Sequence, residues 1–133
     1  MYTNQIYGVT HDPQSEEYAI VTVFRNGGNL REMIKKNHRS LTWKMITKMF
    51  QDIRNGLYDI HNQNYHHKDF HSGNILNEIT NNHVKSVISD FGLSCPANQS
   101  SADKTLYGVL PFVAPEVRNF SQGFIIMLVL LLQ

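Results

Sequence analysis

Two early stretches combine β-branched and aromatic side chains: residues 6–9 (Ile-Tyr-Gly-Val) and 18–24 (Tyr-Ala-Ile-Val-Thr-Val-Phe). His11, Asp12, Pro13, Gln14 and Ser15 between them are turn formers, so the pattern predicts an antiparallel hairpin. Asn26, Gly27 and Gly28 break it. Asn29 then suits a helix N-cap, with Glu32 as capping-box partner, for a helix through Ile34. After Ser40 or Thr42 as cap, Ile46, Met49, Phe50, Ile53, Leu57 and Ile60 recur at three- and four-residue steps. That is one apolar stripe over about four helical turns, ending near His61. Gly56 inside it costs about 1 kcal/mol relative to Ala and marks a place for close backbone approach. Residues 75–77 and 84–88 read as two further strands, joined by the polar turn Thr80, Asn81, Asn82 and His83. Residues 93–109 have little periodicity and read as a loop. Residues 124–132 are continuously apolar but far short of the ~20 needed to span a bilayer. They predict the start of a buried helix, with a membrane or partner surface as the alternative.

Totals narrow the picture. A length of 133 residues allows one domain at most. An apolar fraction of 41% and a charged fraction of 17% are ordinary for a soluble globular protein. A net charge of +1, with Lys35, Lys36 and Arg39 as the basic cluster in sequence, argues against a nucleic-acid partner. The lone Cys95 excludes an internal disulfide framework and predicts a reducing, cytoplasmic location. The N-terminus has neither a basic n-region nor an apolar core, so neither a secretory signal nor a membrane partner is expected.

The candidate chemistry lies in the loop after the long helix, His66-His67-Lys68-Asp69-Phe70-His71-Ser72-Gly73-Asn74-Ile75-Leu76. Asp69 could take a proton from a hydroxyl, and Asn74, five residues on, could offer its oxygen to a hard cation such as Mg²⁺. Asp90-Phe91-Gly92 follows sixteen residues after Asn74, and Ala114-Pro115-Glu116 comes later. An incidental polar loop and a turn-capping Asp90 are the plainer readings of the first two. His67 and His71 are four apart, but that spacing builds a zinc site only on a helix, and no third ligand supports one.

In order and spacing, the three motifs resemble the protein kinase signature H-R-D-x-x-x-x-N, D-F-G and A-P-E. The resemblance runs from about Ile6 to Glu116 and points to tyrosine-kinase-like or serine/threonine kinases. It implies an α+β, partial protein-kinase-like fold over residues 1–133. Residues 1–24 would be a remnant of the small lobe. Residues 25–116 would hold the hinge, large-lobe helices, catalytic loop and activation segment, and 117–133 a truncated tail. Asp69 would be the catalytic base, with Asn74 and Asp90 holding Mg²⁺ against the ATP phosphates. Thr22 would be the gatekeeper; Val23, Phe24 and Arg25 the hinge that meets adenine; and Leu76 the floor beneath it. Ile6, His67 and Phe91 would share a regulatory stack, and Glu116 would lock the activation segment. The implied activity is ATP-dependent phosphoryl transfer to a protein serine or threonine, less readily tyrosine, with ATP and Mg²⁺ as cofactors and a protein substrate.

Several residues depart from the family pattern. Lys68 stands where Arg is usual and loses its bidentate fork. His71 occupies a position where serine/threonine kinases carry Lys, whereas residues 108–112 resemble their substrate loop. No G-x-G-x-x-G and no lysine strand precede Ile6, so these residues alone are expected to transfer phosphate poorly. The alternatives are a non-catalytic, regulatory kinase-like fragment that docks onto other kinases, or an incomplete gene product. Ser94, Ser100, Ser101, Thr105 and Tyr107 read either as activation-loop modification sites or as plain loop polarity.

Overall fold

The computed structural model describes residues 2–81, 83–92 and 94–96. The substrate-loop motif, Ala114-Pro115-Glu116 and the apolar tail lie outside them, as do Ser100, Ser101, Thr105 and Tyr107. The expected hairpin forms from β1 (Ile6–Asp12) and β2 (Glu17–Thr22), antiparallel, with Ile6 opposite Thr22 and Asp12 opposite Glu17. Its turn is held by the Asp12 carboxylate, which accepts from Gln14 N at 2.9 Å and Ser15 Oγ at 3.1 Å. β2 stops at Thr22 rather than Phe24, although Val23 N still donates to Gln5 O at 3.1 Å.

Asn29 caps α1 (Leu30–Asn37), its side chain accepting from Glu32 N at 2.9 Å. This satisfies one of the donors that a helix start leaves without an intrahelical partner. Thr42, not Ser40, caps α2 (Trp43–Asn62) and accepts from Met45 N at 3.3 Å. The apolar stripe of α2 faces inward: Met49, Ile53 and Ile60 are buried, with Ile46 and Leu57 packed beside them. The strand pair β4 (Ile75–Thr80) and β5 (His83–Ile88) is antiparallel, from Ile75 opposite Ile88 to Thr80 opposite His83. Both strands outrun their sequence signals because each polar residue still pairs through its backbone.

The core sits where α1, α2 and the β4–β5 hairpin meet and joins Leu30, Met33, Met49, Ile53, Ile75 and Val84. The N-terminal segment adds to the outer side of β5: Ile88 N donates to Tyr2 O at 2.9 Å, and Asn4 N to Ile88 O at 2.7 Å. Gly56 makes that possible. A Cβ there would lie 2.9 Å from Ile88 Cδ1 and 3.0 Å from Tyr2 O. A two-residue ladder without a periodic signal, β3 (Tyr65–His66) against β6 (Cys95–Pro96), closes the far end. Among the described residues no helix is long and apolar enough to cross a membrane.

Candidate active site

The β4–β5 hairpin brings the predicted polar groups together at its Ile75–Ile88 end. Asn74 forms the last position of a helical turn (Ser72–Asn74) just before β4. Its carbonyl accepts from Ser89 N at 2.8 Å and Ser89 Oγ at 3.0 Å, which places Asp90 one residue beyond that bond. The Asn74 amide Nδ2 donates to Asp69 O at 3.0 Å and to Asp69 Oδ2 at 3.2 Å. With Nδ2 so committed, Oδ1 is the atom that Asn74 can offer to a cation. Asn74 is buried, Asp69 half-buried and Asp90 exposed.

His67 is the hub of this loop. It is only 3% exposed. Its Nδ1 accepts from Asp69 N at 3.3 Å, so the proton sits on Nε2, which donates to Ser89 O at 2.9 Å. Burial pushes its pKa below the ordinary histidine value, opposed by the Ser89 bond and the nearby Asp69 and Asp90 carboxylates, while His71 lowers it further. The ring lies 5.1 Å from Phe91 and 6.1 Å from Phe70. Both nitrogens are in use, so the His67–His71 zinc alternative does not fit the structure. Ile6, expected beside His67 and Phe91, is 55% exposed on the first hairpin. His71 faces Asp69 from the other side, Nε2 to Oδ2 at 3.8 Å, and its Nδ1 accepts from Gly73 N at 3.0 Å. The Ser94 hydroxyl donates to His67 O at 3.2 Å and so braces the same loop.

Lys68 and Asp90 both adopt φ of 63°, in the left-handed region. For non-glycine residues this costs on the order of 1–3 kcal/mol and is found where surrounding structure enforces it, often at functional sites. Here the strained residues are one acid itself and the neighbour of the other.

The segment after the predicted hinge, residues 26–29, runs along the outer edge of β4. Gly27 N donates to Asn77 O, and Asn77 N to Gly28 O, both at 2.8 Å. The Asn26 side chain extends this pairing, accepting from Ile79 N at 2.8 Å and donating to Ile79 O at 3.0 Å. Leu76 bridges to Asn29 beside it. A Cβ on Gly27 would fall 2.8 Å from Asn77 O, so only glycine allows this approach. Thr22 closes β2, and Val23 is half-buried with its carbonyl accepting from Asn4 Nδ2 at 3.4 Å. Arg25 is anchored by ion pairing with Glu78 and by donating from Nε to Asn4 Oδ1 at 3.2 Å. The Phe24 side chain is 85% exposed.

Sequence reasoning missed the buried polar chain behind this edge. Asp52, fully buried on α2, pairs with Lys48 and accepts from Ser86 N at 3.1 Å. Ser86 Oγ donates to Asn77 Oδ1 at 2.8 Å, and Asn77 Nδ2 reaches Gly28 O at 3.3 Å. A carboxylate on an otherwise apolar stripe, three residues after Met49, was the signal available.

Against known proteins, the model for the protein kinase domain matches residues 3–123. The chain is 33% identical over 101 residues to the serine/threonine/tyrosine-protein kinase HT1 of Arabidopsis thaliana, covering 75% of this chain and 25% of that protein. It is 29% identical over 125 residues to the dual specificity protein kinase zakA of Dictyostelium discoideum, covering 85% of this chain and 16% of the relative. A third relative, the mitosis inhibitor protein kinase SWE1 of Candida albicans, is 34% identical over 121 residues, 83% of this chain and 10% of its own. The chain thus spans a quarter or less of these relatives' lengths. With most of its residues matched by the domain model, and with motifs in order around one hairpin end, the chain belongs to the protein kinase family.

Proposed function

We propose that this chain supplies the catalytic-loop and metal side of an ATP-dependent protein kinase site that phosphorylates a serine or threonine hydroxyl, and tyrosine less readily. One observation carries the reading: Asn74 is bonded through its side chain to Asp69 and through its carbonyl to the residue before Asp90. In this reading Asp69 accepts the proton of the substrate hydroxyl. The Asn74 Oδ1 and the Asp90 carboxylate are hard oxygen donors and fit Mg²⁺. Among the described residues no group of three or more His, Cys, Asp or Glu could hold a metal. A cation here therefore needs ligands from phosphate and water, as Mg²⁺ commonly does. Bound Mg²⁺ neutralises charge on the phosphates.

For adenine, Thr22, Val23, Phe24, Arg25 and Leu76 are the assigned residues. Val23 N–H and the Arg25 carbonyl are engaged within the chain, the latter by Gly28 N at 3.2 Å. The Phe24 backbone and the Arg25 N–H are the hinge groups this reading gives to the base. The relatives' names, serine/threonine/tyrosine and dual specificity, support a protein hydroxyl as acceptor. The lone Cys95 supports a cytoplasmic setting. These 133 residues alone transfer phosphate weakly, since the family's glycine-rich loop and phosphate-clamping lysine are not among them.

A thermal-shift titration with a non-hydrolysable ATP analogue tests this. The melting temperature rises with nucleotide only when Mg²⁺ is present, and Asp90→Asn abolishes the rise. No shift at millimolar nucleotide, or an equal shift in Asp90→Asn, contradicts the reading and favours a non-catalytic fragment that docks onto other kinases.

A further inference from the structure

We infer that the groove between the first half of α2 and the turn end of β4–β5 docks an extended acidic peptide segment of a protein partner. Two cavities, of about 260 and 410 Å³, adjoin there and share Lys48, His83 and Val84. Lys85 lines one and Lys44 the other, so three ammonium groups, two from α2 and one from β5, follow one groove. Only Lys48 has a carboxylate partner, the buried Asp52. Among the described residues no carboxylate lies within ion-pair distance of Lys44 or Lys85. Glu78, the cross-strand partner of Lys85, is turned to Arg25 instead. The groove is therefore cationic although the chain's net charge is +1.

Its shape and spacing favour a peptide over a single anion. Lys44 and Lys48 are one helical turn apart, about 6 Å of rise. Alternate residues of an extended peptide stand about 6.6 Å apart on one face, so acidic residues at every second position match Lys44 and Lys48, whose half-exposed ammonium has three donors and gives only one to Asp52. Met45 and Val84 give the groove an apolar wall for an intervening side chain. The site lies at the opposite end of the hairpin from Asn74, six residues or about 20 Å along β4. A peptide held there leaves Asp69 and Asp90 uncovered, so the groove adds affinity for a partner without entering the phosphoryl-transfer site.

The test is fluorescence anisotropy on the whole 133-residue chain, without nucleotide, using a fluorescein-labelled peptide with a Glu-Leu-Glu-Leu-Glu core. Because nucleotide is absent, its outcome is independent of the phosphoryl-transfer reading. Saturable binding is expected, weakened about tenfold or more by Lys44→Glu with Lys85→Glu and by raised salt. Both lysines are exposed, and a circular-dichroism melt checks that the variant folds. If it does not, amide shift mapping on the unaltered chain is decisive: peptide should move residues 44–51 and 83–85. Displacement by inorganic phosphate alone, equal binding of a Lys-Leu-Lys-Leu-Lys peptide, or shifts confined to other regions overturns the proposal.

Discussion

Asp52 shows how much one side chain can hold. Its two carboxylate oxygens meet Lys48 on one side and Ser86 N on the other, in full burial. Asp52→Ala leaves a buried backbone N–H without its acceptor and should destabilise the fold by about 2–3 kcal/mol in urea unfolding. Asp52→Asn keeps an oxygen for Ser86 N and should cost about 1 kcal/mol. Equal losses in the two variants would contradict the assigned bonding. His67 gives a pH signature. Its folded pKa lies below the unfolded value, so the unfolded chain takes up the proton first as pH falls. Stability from neutral His67 is complete above about pH 6.5 and declines as pH drops through the folded pKa. Melting temperatures followed from pH 7.5 to 5 should fall less steeply in His67→Gln than in the unaltered chain. At this scale the nearness of Asn74 to Asp69 was legible because motif spacing carries it. Asn4, Asn26, Asn77 and Ser86 were not, since their partners lie 9 to 53 residues away in sequence.

Elements with a strong period were the ones their sequence revealed. The α2 stripe needed only its own spacing, and the Asn29 and Thr42 caps are local chemistry. The β3–β6 ladder is different: two residues on each side carry no pattern, and their pairing follows from where the catalytic loop is already held. Gly56 joins local and tertiary logic. On an isolated helix Gly56→Ala would gain about 1 kcal/mol. Here the added methyl meets Ile88, fully buried, and the Tyr2 backbone, so the substitution should instead destabilise by about 1–3 kcal/mol. Chemical denaturation decides the sign, and a stabilised variant would contradict the close packing of α2 on β5 and the N-terminal segment. Gly27→Ala should likewise weaken the hinge edge, because the methyl would strike Asn77 O rather than a movable side chain.

Across the described residues, hydrophobic burial and the candidate site divide along the β4–β5 hairpin. One face packs against α2, one edge receives the segment before α1, and one end gathers Asp69, Asn74 and the residue before Asp90. The fold class was readable from three ordered motifs and the change of hydrophobic period, and the nearness of Asn74 to Asp69 from the first motif. The cationic groove was not, because Lys85 joins Lys44 and Lys48 only once α2 lies along β5. The proposed function requires one Mg²⁺–nucleotide site at the hairpin end. Replacing Mg²⁺ with paramagnetic Mn²⁺ and an ATP analogue, and recording amide relaxation residue by residue, tests it most directly. Signals from residues 68–76 and 89–92 should broaden strongly, while those from residues 13–16 and 44–51 stay sharp. Uniform broadening, or broadening centred away from Asn74 and Asp90, would contradict it.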